Sequence, residues 1–222
     1  MRIYIDEAGA FLPPTQPRPS FSLVLAHIVP TAVETELFYE FLRLRDTWPN
    51  QKVEIKGSSL NESQAAQLIN LVQQYDTLVK FITLDTNTHP DPIVTDFKNR
   101  QAVAVTANIT RDHHPGPIPH MHHLGESIRS LSNQLFLQVF ATWELIIRTI
   151  REGMLYYVQR TPQELGDISW IIDRKDRTIT EMEETWSTLI LPVSECEFAK
   201  KPLACIEGAD WRARFTSFSR NR

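Results

Sequence analysis

The chain lacks most of the features that assign a protein to a class at sight. It has only two cysteines, Cys196 and Cys205, in 222 residues. Two thiols cannot form a disulfide framework, and no paired-cysteine zinc pattern is present. No uninterrupted apolar run approaches the 18 or so residues of a membrane span. The most apolar stretch, Leu135–Val158, is broken by Gln138, Glu144, Arg148, Arg151 and Glu152. The opening residues, Met1 to Asp6, are too short and too quickly charged for a secretory signal. A Walker A motif, a G-x-G-x-x-G turn and a G-x-S-x-G elbow are all missing. Internal repeats are absent too. These absences exclude a membrane-spanning protein, a disulfide scaffold, a repeat array, a P-loop enzyme and a serine hydrolase of the elbow type. The expectation they leave is a reduced, cytoplasmic protein.

What is present is ordinary in amount and uneven in placement. Hydrophobic residues are 42% and charged residues 23%, as in a soluble globular chain. At 222 residues a single domain can bury a sizeable core without a staple. The net charge is −4, yet Lys200–Arg222 holds six basic residues against two acidic ones. That end is therefore +4 and the remainder −8. An acidic body with a basic end suits a metal site beside a phosphate-binding edge, and equally a solvated terminus.

Apolar patterning divides the chain into elements. Arg2–Asp6 and Phe21–Val29 read as strands, separated by Gly9 and the proline-rich stretch Pro13–Pro19. Thr31 with Glu34 forms a capping-box pattern that opens a helix to about Asp46. Val53–Ile55 is a short strand candidate, and Asn61 or Ser63 starts a helix to about Tyr75. Leu78–Leu84 is a strand, Pro92–Ala107 a helix, and Thr110–His123 a loop dense in proline and histidine. Glu126 to about Val158 reads as one long helix, either central or an oligomer face. Ile168–Asp173 is a buried-type strand and Thr178–Leu191 a helix. Glu195–Phe198 reads as an edge strand and Leu203–Phe215 as a last helix. Interleaved strands and helices predict one three-layer α/β domain.

The informative residues are acids placed where apolar strands stop. Asp6 follows Ile3-Tyr4-Ile5, and Asp173 follows Trp170-Ile171-Ile172. A carboxylate at the end of a buried strand is poorly solvated unless something offsets its charge. A divalent cation does so, and Mg²⁺ prefers oxygen ligands. Ligand sites in open α/β sheets gather at strand ends. Glu54 is a third acid in a β-like run, and Asp210 a fourth near the last helix. Taken singly, each is also an ordinary turn or helix cap.

The sequence Tyr4-Ile5-Asp6-Glu7-Ala8-Gly9 resembles the opening Y-I-D-E-S-G motif of the bacterial family called domain of unknown function 3800. Glu54-Ile55-Lys56, followed by Leu60, is similar to that family's E-x-K-x-x-x-L segment. Ile171-Ile172-Asp173 resembles its later strand, and Ala209-Asp210 its C-terminal A-D pair. The matches keep the family's order and span nearly the whole chain. Ala8 stands where the motif has Ser, and Glu207-Gly208 where it has Gln-Leu.

The resemblance implies a ribonuclease H-like three-layer fold over residues 1–222, a mixed sheet flanked by helices, with a helical insertion at about 92–160. It implies a metal-dependent nuclease or phosphodiester hydrolase acting on nucleic acid. Asp6, Glu54, Asp173 and Asp210 are the implied catalytic residues and ligands of Mg²⁺ or Mn²⁺. Two such ions about 3.5–4 Å apart can activate water and stabilise a leaving oxygen. Glu7 is a weaker candidate because strand alternation turns it to the other face. Lys56 and Lys175 lie beside proposed ligands and could contact phosphate, or form ordinary salt bridges. The alternative is a catalytically silent nucleic-acid- or protein-binding module of the same fold, which the acidic body favours. A homodimer through the long apolar helix is a further expectation.

Other signals carry less. His113, His114, His120, His122 and His123 crowd one segment, but Pro115, Pro117 and Pro119 work against chelating geometry. The aromatic stretch holding Phe136, Phe140 and Trp143 reads as packing rather than a cofactor pocket.

Overall fold

A computed structural model describes residues 1–12, 20–49, 55–107, 109, 118–172, 180–190 and 193–194. Four strands form one mixed sheet: β1 (Arg2–Ala8), β2 (Phe21–Val29), β3 (Leu78–Asp85) and β4 (Ser169–Ile172). Their order is β3-β2-β1-β4. β1 is antiparallel to β2, β2 antiparallel to β3, and β4 parallel to β1.

Alternation along the strands separates the two faces. Ile3 and Ile5 of β1 join Val24, Ala26 and Ile28 of β2 in the main core. The next residues over, Tyr4 of β1 and Val29 of β2, face a second cluster with Leu37 and Leu71. Those leucines belong to helices α1 (Thr31–Asp46) and α2 (Glu62–Val72). On the main-core side lies α5 (Asn133–Arg148), which buries Leu135, Phe136, Val139, Leu145 and Ile146 among others. Helices therefore cover both faces, an α/β arrangement compatible with three layers.

Pro30 lacks the N–H that a continuing ladder needs, so β2 ends there and α1 begins. The capping box expected from Thr31 and Glu34 does not form, since no side chain of the helix caps its start. Glu34 instead accepts hydrogen bonds from Tyr4 Oη and from Arg2 Nε (3.1 Å) on β1. The cap comes from Glu164, whose carboxylate accepts from the backbone N–H of Thr31 (2.9 Å) and Ala32 (3.2 Å). At α2 the expectation holds: Asn61 and Gln64 form the reciprocal capping box.

The long helix expected from Glu126 to Val158 is corrected. α4 (Ile118–Ser130) stops before Leu131, and Ser132 starts α5 by accepting from Leu135 N–H at 3.1 Å. Ser130, Ser132 and Asn133 bond readily to nearby backbone, which favours a cap over a continuous helix. A π turn over Thr149–Gly153 then leads to α6 (Met154–Tyr157). The apolar residues of α5 are buried inside the chain, so this helix is central rather than an outward face. The homodimer expectation relied on that outward face.

α3 spans Asp91–Ala104. Residues 118–123, read as loop from their prolines and histidines, form the first turns of α4 instead. Pro119 falls in the first turn, where the missing N–H costs nothing. The helix expected over Thr178–Leu191 begins at α7 (Glu181–Thr185) behind a Thr180–Glu183 capping box and continues as a π turn over Trp186–Ile190. The strand candidates at 53–55 and 195–198 and the helix at 203–215 lie wholly or largely outside the described residues. Among the described residues no helix is long and apolar enough to cross a membrane.

Candidate functional site

Asp6 sits on β1, paired across to Leu25 of β2, on the sheet face turned away from α5. Its side chain is exposed, and its Oδ1 accepts the N–H of Glu7 at 2.8 Å. Glu7 points to the opposite face, where its Oε1 accepts from Gln138 Nε2 of α5 at 3.3 Å. The alternation of β1 thus gives the two neighbouring acids separate surroundings.

On the other side of β1, the parallel register sets Ile5 beside Ile172, the last residue of β4. Asp6 and Asp173 each follow one member of that pair by a single peptide bond. Asp173 itself lies outside the described residues, as do Glu54, Lys175 and Asp210. Lys56 is exposed, and its carbonyl accepts from Ser59 N–H (2.8 Å) and Ser59 Oγ (2.7 Å) at a short 3₁₀ turn, Gly57–Ser59. No group of three or more metal-ligating side chains occurs among the described residues.

The turn after β1 is tightly set. Gly9 has φ +99°, and a Cβ there would lie 2.6 Å from Ser22 Oγ. That hydroxyl accepts the N–H of Phe11 at 2.9 Å, fixing the chain as it leaves the strand. Gly9 is therefore required both by its backbone angle and by the close approach of β2.

Two groups near the sheet lack an obvious sequence signal. His27 of β2 shares the face of Tyr4 and Val79. Its Nε2 is buried and has no hydrogen-bond partner among the described residues, and burial pushes the imidazole below its ordinary pKa. Glu164 pairs with the Met1 ammonium at 2.8 Å while capping α1, with its side chain about 10% exposed. Burial pushes its carboxyl up, but the bonds from the Met1 ammonium and Thr31 outweigh this and hold it below the usual range. The same ammonium donates to Thr31 Oγ1 (2.8 Å) and to the Asp167 carbonyl (2.7 Å). Partners separated by 133 residues, such as Thr31 and Glu164, leave no periodic trace in a sequence.

The aromatic stretch of α5 packs as expected. Phe97 meets Phe136 and Phe140 edge-on, with ring centroids 5.9 and 5.1 Å apart. A cavity of about 70 Å³ beside Phe136, Phe140 and Trp143 is far smaller than the roughly 300 Å³ at which cofactor pockets begin. His122 and His123 are exposed on α4. Compared with protein-family models, curated proteins and solved structures, the chain finds no match in any of the three.

Proposed function

We propose that the chain is a metal-dependent nuclease or phosphodiester hydrolase of ribonuclease H-like fold, acting on nucleic acid through Asp6, Glu54, Asp173 and Asp210. The observation that carries this reading is the parallel Ile5–Ile172 register. Both strands run in the same direction, and both present an aspartate at the next position. Registered residues of parallel strands point the same way, so Ile5 and Ile172 share the main-core face. The donor set is all carboxylate oxygen, which suits Mg²⁺ or Mn²⁺ rather than a soft metal. Such an ion, when bound, supplies a more acidic water and offsets charge on a leaving oxygen.

Asp6 is exposed on the central strand β1, which continues in register with β2 to Ala8, and it can meet a solvent-borne ion without rearranging the core. Glu7, tied to Gln138 on the other face, is left out of the ligand set. Lys56 and Lys175 would hold the phosphate as point charges. The cytoplasmic setting belongs to the same reading. A silent binding module of the same fold is the second reading, favoured by the −8 charge outside Lys200–Arg222.

Incubating the protein with single-stranded, duplex and hybrid substrates in Mg²⁺ or Mn²⁺ separates the two. The nuclease reading expects cleavage that chelator stops and Asp6→Asn abolishes. Metal-dependent binding without cleavage supports the module, and cleavage undiminished in Asp6→Asn overturns the proposed site.

A further inference from the structure

β3 is an edge strand. In the order β3-β2-β1-β4 its one strand neighbour among the described residues is β2, and it keeps an unbroken register with that strand from Leu78 to Asp85. An edge strand turns alternate N–H and C=O groups outward, a template for another strand. Soluble chains blunt such edges with proline, a bulge or a lysine. β3 has no proline or glycine, and its register holds no bulge. Its one lysine, Lys80, is paired with Glu152 of the π turn, so its charge is already offset. Leu78, Ile82 and Leu84 pack against the main core. Val79, 42% exposed, Phe81, 61% exposed, and Thr83 stand out on the opposite face. Single exposed apolar side chains are common, but here they border an unpaired backbone edge.

We propose that two copies of the chain join edge to edge through antiparallel β3 strands, with Phe81 on the two-fold axis. The occupant is a second copy because the strand complements itself. A two-fold axis between antiparallel strands stands perpendicular to the sheet, so residues set opposite each other share a face. Position i then meets position j of the partner with i + j even, which leaves few registers. Centring on Lys80 sets two ammonium groups directly opposite, an unfavourable pair. Centring on Ile82 sets Val79 against the partner's Asp85, and centring on Thr83 sets Phe81 against it. Centring nearer either end shortens the overlap. Centring on Phe81 pairs the two rings with each other and Val79 with the partner's Thr83. Aromatic and β-branched pairs of this kind stabilise a sheet. On the main-core face the same register sets Leu78 against the partner's Leu84 and Lys80 against the partner's Ile82.

The pairing joins both sheets into one. The row Phe81–Leu25–Asp6 then continues across the axis. The two Asp6 residues lie on one face, separated by five strand spacings, or about 24 Å. The edge and its register belong to the frame of the fold, so the dimer holds whether or not the protein cuts nucleic acid.

Sedimentation equilibrium of the full chain tests the dimer, and cysteine cross-linking tests its register. Wild type should reach twice the chain mass as concentration rises. Phe81→Lys alters a side chain already exposed and sets like charges on the axis. It should keep the wild-type circular dichroism and raise the dimer dissociation constant about tenfold or more. For the register, Cys196→Ser and Cys205→Ser give a background without thiols, and single cysteines are placed on β3. With a short bis-methanethiosulfonate linker, Phe81→Cys should link to itself. Val79→Cys should link only when mixed with Thr83→Cys, because two copies of position 79 lie about 14 Å apart along the strands. A wild type that stays monomeric at its highest soluble concentration overturns the proposal and leaves the edge to some other chain. A dimer that Phe81→Lys leaves intact, Phe81→Cys chains that do not link, or Val79→Cys chains that link to themselves overturn it as well.

Discussion

Ile5 of β1 and Ile172 of β4 are partners in a parallel register, and each is followed at once by an aspartate. Both isoleucines pack with the main core, so the two strands are held side by side by burial up to the last paired residue. The candidate site therefore begins where a fixed frame ends. Four predictions follow the chain from that frame outwards.

Gly9→Ala tests how tightly the end of β1 is set. The substitution forces an L residue to φ +99° and drives its Cβ to 2.6 Å from Ser22 Oγ. It should cost about 1–3 kcal/mol, from strain and the displaced Ser22–Phe11 bond. The urea midpoint measures this, and a midpoint equal to wild type contradicts the assigned turn.

Glu164→Gln tests the long-range cap of α1. It removes the charge that pairs with the Met1 ammonium and keeps only one acceptor oxygen, so one of the two bonds from the Thr31 and Ala32 N–H groups is also lost. The expected loss is about 1–2 kcal/mol at neutral pH. Because the folded carboxyl titrates below its ordinary range, its contribution is complete above the unfolded value and fades as pH falls through the folded one. Wild type and variant should draw together in stability as acidification passes below the ordinary carboxylate range. A gap that persists in acid would show that the pair is not the cause.

His27→Leu tests the buried imidazole. Burial lowers its folded pKa, so below about pH 6.5 the unfolded chain takes up a proton that the folded chain refuses. Stability should then fall with decreasing pH, by at most about 1.4 kcal/mol per unit, until the folded pKa is reached. Urea melts at pH 7.5 and 5.5 read the slope. Identical slopes in wild type and His27→Leu exclude His27 as its source.

Much of this frame was legible in the sequence, because burial imposes a period. Ile3, Ile5, Val24, Ala26 and Ile28 alternate as a half-covered sheet requires, and Asn61 announces α2 through its own cap. Errors arose where a distant group displaced a local one. Glu34 fits a capping box in sequence, yet Tyr4 and Arg2 claim it and Glu164 takes its place. The break at Ser132 was hidden because apolar periodicity continues on both sides of it, and only the Ser132 Oγ bond to Leu135 N–H marks the new start. His27 left no mark at all, since a histidine within an alternating strand reads as one more outward polar residue. For the candidate site, the succession of strands along the chain could be read in advance, but the order of strands in the sheet and the parallel pairing of β1 with β4, which spans more than 160 residues, are properties of the fold.

The central claim is that Asp6 and Asp173 share a divalent cation, and thermal melts test it most directly. Wild type, Asp6→Asn and Asp173→Asn are each melted with and without Mg²⁺. Carboxylates sharing a site repel one another when metal is absent, so each Asn variant should be as stable as wild type or more so without Mg²⁺. A ligand that binds only the folded chain stabilises it by about 2.7 kcal/mol at a hundredfold excess over Kd. For a chain of this size that raises the wild-type Tm by roughly 5–10 °C. Both Asn variants should lose most of that rise. Equal Mg²⁺ shifts in all three proteins would contradict the shared site.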